Sequence, residues 1–153
     1  MIFEFGQYIL DVDVEKTKAF YQSRFSTKTN ERCFCPRCQR FSKEILTSSN
    51  VVLDFLHSLG VDPQKAGEII DGPLDETTNC DYYGWYHIVG TMLNRKSTPK
   101  QENDDNCFLP DINSIFRVWF NDDREKMGPI EDGFPSPVLE MSFSVVLPLS
   151  KSE

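Results

Sequence analysis

Residues 82–93 read YYGWYHIVGTML, and the folding of this stretch decides the architecture. Aromatic and β-branched residues dominate it, which suits a pleated, packed surface and predicts a strand. Successive side chains point to opposite faces, so Tyr83, Trp85, His87, Val89 and Thr91 share one face and Tyr82, Tyr86, Ile88 and Met92 the other. Both faces need cover, and the strand is expected at the centre of a sheet.

Downstream, SIFRVWF (114–120) sets Phe116, Val118 and Phe120 against Ile115, Arg117 and Trp119, a second strand. In VLEMSFSVVLPL (138–149), Leu139, Met141, Phe143, Val145 and Leu147 alternate with Glu140, Ser142 and Ser144, which predicts a strand with one wet face. The stretch 121–137 reads as a long loop rich in Gly, Pro and acids, and 94–106 as a mobile polar loop.

Upstream, residues 3–12 alternate, with Tyr8, Leu10 and Val12 on one face and Gly6 marking a bend or bulge in a single strand. Asp13 is placed to cap a helix to about residue 24, carrying Val14, Thr17, Phe20 and Tyr21 at helical spacing. Pro36 suits the first position of a helix through Phe41 to about Leu46. Ser48 or Ser49 caps a third helix with Val52, Phe55, Leu56 and Leu59 on its apolar stripe, ended by Gly60. Asp62 and Pro63 open a turn, and residues 66–70 form a short strand.

Strands at both ends and helices grouped early do not give the alternating rhythm of a parallel sheet. The expectation is one α+β domain over residues 1–153, with a mainly antiparallel sheet of about four to five strands and two to three helices in the N-terminal half.

A chain of 153 residues with 39% hydrophobic residues and twelve Phe has the material for a core, so disorder is excluded and a metal is optional for stability. The first residues lack a basic region followed by a long apolar run, and no apolar stretch approaches the ~18 residues that span a bilayer. The expected compartment is the cytoplasm, with no membrane contact. A net charge of −8 without a basic cluster disfavours direct nucleic-acid binding; it serves solubility alone or, as the alternative, steers in a basic protein partner.

Three of the five cysteines fall in CFCPRC (33–38), a spacing that fits reduced thiols or a metal better than a secreted disulfide framework. Cys35-Pro36-Arg37-Cys38 has the local form of a metal knuckle, and Cys33, Cys35 and Cys38 would supply three thiolates to a structural zinc. The fourth ligand would be His87, Cys80, Cys107 or His57. Gln39 stands where metal knuckles commonly carry Gly. The same C-x-x-C at a helix start, beside Arg37, also suits thiol exchange, although the surroundings are not βαβ. Ordinary reduced thiols are the third alternative.

His87 reads as a hydrogen-bonded core histidine and His57 as a residue at a helix C-terminus. The runs 103–106 and 121–123 lack calcium-loop spacing and read as solvated. With two histidines and none of the G-x-S-x-G, P-loop, dinucleotide-turn or H-E-x-x-H patterns, the chain carries no familiar catalytic constellation.

The segments DVDVEKTKAFY, CFCPRCQRF, FLHSLGVDPQKAGEI, GWYHIVG and FPSPVL, in that order along most of the chain, resemble a family of small bacterial proteins. The resemblance implies a single bacterial domain in which the pattern of Cys33, Cys35 and Cys38 recurs. It implies no substrate.

Small size, acidity and the lack of catalytic motifs lead to the expectation of a protein-binding protein of the toxin-immunity or inhibitor type. Its cysteine cluster would hold structural zinc. The alternative is a metal- or thiol-dependent enzyme using Cys33, Cys35 and Cys38, with His87 nearby.

Overall fold

The computed structural model describes residues 1–23, 35–71, 79–94 and 107–148. In chain order its elements are β1 (Ile2–Phe5), β2 (Tyr8–Val12), α1 (Val14–Gln22), α2 (Pro36–Glu44) running into a 3-10 turn (Ile45–Thr47), and α3 (Asn50–Ser58). Then come β3 (Glu68–Asp71), β4 (Asn79–Met92), β5 (Phe116–Asn121), a second 3-10 turn (Arg124–Lys126) and β6 (Val138–Pro148). The fold is α+β, and its described pairings are all antiparallel.

The stretch that begins at Tyr82 is indeed the spine. β4 pairs with β6 along its length and with β2 and β3 on its other edge, giving a six-stranded sheet in the order β1-β2-β4-β6-β5 with β3 beside β4. The expected four to five strands become six because residues 3–12 form a hairpin. Gly6 takes φ +58, a left-handed conformation that lets the chain reverse within two residues and pairs Phe5 with Tyr8.

One face of the sheet is apolar without interruption. Tyr82, Tyr86 and Ile88 of β4 lie in register with Val145, Met141 and Leu139 of β6; on β5, Phe116 and Phe120 continue the first two rows, and Val118 pairs with Phe143 between them. The helices close over it. Phe41 of α2 meets Tyr82 and Phe143 at ring distances of 5.3 and 5.8 Å, and Phe55 of α3 meets Phe5 edge-on at 5.0 Å. Full burial of a side chain such as Phe41 contributes roughly 1.5–3 kcal/mol, so this layer carries much of the stability.

The helix starts follow the sequence reading. Asp13 accepts from Lys16 N, Ser49 from Val52 N and Cys35 from Cys38 N, while Pro36 fills the first turn of α2, where no amide hydrogen is needed. Gly60 ends α3 at φ +85, and a Cβ there would lie 2.6 Å from Val14 O, so the turn is pressed against the start of α1.

Helix α1 has a second task. β2 and β3 leave a gap along their shared edge of β4, and α1 fills it: Val89 N donates to Thr17 Oγ1 at 3.0 Å, and Tyr21 Oη donates to His87 O at 2.8 Å. Asp13 N closes the β2 end on Val89 O, and Gly67 N closes the β3 end on Trp85 O. Two side-chain hydroxyls thus stand in for a missing stretch of ladder, meeting the demand of buried backbone groups for partners.

The face opposite the helices departs from expectation. β6 was expected to have a wet face, yet Glu140 and Ser144 are buried. Part of the long loop expected over 121–137 folds back over this face, where Gly128 N donates to Glu140 and Phe134 packs on His87. The polar loop expected over 94–106 falls, after Asn94, outside the described residues.

Candidate functional site

Three rows cross the face away from the helices: Ile70–Tyr83–Ser144–Arg117, Glu68–Trp85–Ser142–Trp119, and His87–Glu140–Asn121. The rows differ in cover. His87 and Glu140 are sealed, whereas Ile70 and Tyr83 are 50% and 45% exposed.

At the sealed end, His87 Nε2 lies 3.0 Å from Glu140 Oε2, which also accepts the Gly128 amide at 2.7 Å. Phe134 caps the imidazole edge-on at 5.9 Å and meets Phe20 of α1 at 4.6 Å. Trp85 completes the wall. Ideal Cβ atoms on Gly67 and Gly128 would fall 2.2 and 2.3 Å from its ring, so both glycines are there because the indole lies against their backbone. Behind the pair is a cavity of about 40 Å³ lined by Phe20, Tyr21, Lys65, His87, Glu131 and Phe134. That volume is enough for a water molecule. Lys65 Nζ is itself turned to Tyr21 O. His87 is therefore committed to Glu140 and to holding the loop, as the core-histidine reading proposed.

A second buried polar pair lies in the apolar layer. Tyr82 Oη donates to Glu44 Oε2 at 2.7 Å, and both side chains are inaccessible to solvent. Burial, then the hydrogen bond and charge of Glu44, push the Tyr82 phenol far above its usual range, and burial does the same to Tyr86, whose hydroxyl donates to Pro63 O at 2.7 Å. These tyrosines are donors that fasten α2 and the 60–66 turn to β4. Sequence reading gave Glu44 no role; its spacing three residues after Phe41 was the available signal.

The cysteines divide. Cys35 caps α2, half-buried, with Cys38 N donating to its sulfur at 3.5 Å, and Cys38 is buried one turn on. Cys33 lies outside the described residues. Cys80 is buried on β4 and directs its thiol at Asp81 O, Cys107 precedes the bridge that joins Phe108 to Val118, and His57 sits exposed in the last turn of α3. Among the described residues, no group of three or more His, Cys, Asp or Glu side chains is gathered as a metal site.

Open grooves also lie among the described residues. One, of about 500 Å³, lies between the start of α1 and Pro137 and carries Asp11, Asp13 and Glu15; another, of about 520 Å³, lies between α1 and the 57–65 turn and mixes Glu15, Asp62, Lys18 and Lys65. No helix among the described residues is long and apolar enough to cross a membrane.

Fold and sites together define an α+β domain that, among the described residues, carries two buried polar pairs, open grooves beside α1, a partly exposed sheet face and a dithiol at a helix start. No family model matches the chain, and neither a curated protein nor a solved structure does.

Proposed function

We propose that the chain is a protein-binding domain of the immunity or inhibitor type that docks a basic protein partner on the uncovered part of its sheet face. The observation that carries this reading is the directly opposed pair Ile70 and Tyr83, each about half exposed, between exposed Glu68 on β3 and partly exposed Asp81 on β4. An apolar centre with an acidic rim is the complement of a patch with an apolar anchor and flanking Lys or Arg. The net charge of −8 adds long-range attraction for such a partner and repels nucleic acid. The domain works without turnover in this reading, in the cytoplasm.

Photo-cross-linking in host cells tests it. A photo-reactive phenylalanine analogue in place of Tyr83 is expected to capture one basic protein, lost when Glu68→Lys is added and absent when the analogue replaces Lys126 on the loop. No product at Tyr83, or the same products from both positions, overturns the reading.

A further inference from the structure

Cys35 and Cys38 form a chemically unequal pair. Cys35 is partly accessible at the cap of the nine-residue helix α2, where its sulfur accepts the Cys38 amide hydrogen; Cys38 is 6% exposed. A thiolate at position 35 faces the positive end of the helix dipole and keeps an N–H donor, the surroundings that favour the anion. Its neighbour Pro36 leaves no competing donor at the first helical position. The bond from Cys38 N also brings the Cys35 sulfur against the backbone of the residue that bears the second thiol. One sulfur is placed to be met from solvent and the other to act only from within.

We propose that Cys35 and Cys38 are a dithiol–disulfide exchange site for a low-molecular-weight disulfide, with Cys35 attacking and Cys38 resolving. The site is separate from the docking face and stands or falls independently of it. The Cys35 thiolate attacks one sulfur of the incoming disulfide, the S–S bond breaks, and the first small thiol leaves. Cys38 then loses its proton to solvent and attacks Cys35 Sγ, the mixed disulfide breaks, and the second small thiol leaves. Two electrons pass from the dithiol to the substrate, and the two protons lost by the cysteines end on the released thiols. The chain is left with a Cys35–Cys38 disulfide.

The full-length reduced chain, prepared without chelator, is first assayed for metal, then mixed with oxidised glutathione, quenched with acid at intervals and mapped by mass spectrometry. The expected result is a metal-free chain in which glutathione appears on Cys35 first, followed by a Cys35–Cys38 bridge and release of the adduct. In the reduced chain Cys35 should alkylate about tenfold faster than the partly exposed Cys107. Cys38→Ser should hold glutathione on Cys35, and Cys33→Ser should still close the bridge. Should Cys38→Ser fail to fold, the order of adduct and bridge in the unaltered chain decides alone. Stoichiometric zinc that protects both thiols, a bridge that uses Cys33, a first adduct on Cys38, or Cys35 reacting no faster than Cys107 would each overturn the proposal.

Discussion

Tyr82 and Tyr86 give the molecule an alkaline limit. Each phenol keeps its proton in the folded chain well beyond the ordinary value of 10.0, chiefly through burial, while the unfolded chain releases it near that value. The sign follows: their contribution is intact below about pH 10 and is lost as pH rises beyond it, because only the unfolded state gains by ionising. Urea unfolding followed from about pH 8 to about pH 11 should show a falling midpoint, and Tyr82→Phe should make that fall shallower. At neutral pH the same substitution leaves Glu44 buried without its phenol donor and should cost about 1–3 kcal/mol. Glu140→Ala removes the acceptor shared by His87 and Gly128, and a loss of about 2–3 kcal/mol with faster exchange of the Gly128 amide is expected. Much at this scale was legible: Asp13 as a cap, Pro36 at a first turn and His87 as a hydrogen-bonded core residue each follow from local chemistry. The burial of Glu140 was not. It depends on a loop without periodicity returning across the sheet, and alternation along β6 carries no trace of that loop.

The elements were read where one segment decides its own state. β4 announces itself by aromatic and β-branched content, and β6 by strict alternation. The hairpin of β1 and β2 escaped because its Gly6-Gln7 turn lacks the Asn-Gly or Asp-Gly signature, so one bent strand fitted the pattern as well. The part α1 plays at the edge of β4 escaped for another reason. Thr17 and Tyr21 look like core positions of an amphipathic helix, and only the distance between β2 and β3 turns their hydroxyls into substitutes for a strand. Thr17→Val keeps the shape and strands the Val89 amide, so a loss of about 1–3 kcal/mol and faster exchange of that amide should follow, while Thr17→Ser should recover most of both. Equal losses for the two variants would mean that packing, and not the hydroxyl, holds the gap.

For the molecule as a whole, the proposed docking rests on charge and on the uncovered part of one sheet face. Once cross-linking has supplied the partner, Tyr83→Ala should weaken binding by tenfold or more, on the order of a central interface anchor, by raising the dissociation rate. Glu68→Lys should act mainly on the association rate and flatten its dependence on salt. If both variants bind as the parent does, the docking surface lies elsewhere. The composition exposed the acidity and disfavoured nucleic acid, but it did not show where apolar surface stays open, since Tyr83 and Trp85 share one strand face and differ only in what the loop covers. That difference has an optical consequence. The chain has two tryptophans, and one of them, Trp85, is pressed between the backbones of Gly67 and Gly128 beside the His87 ring. With Trp119→Phe in place, the emission of the single remaining indole becomes a built-in gauge of whether the 121–137 loop is seated, readable in a cuvette without any label.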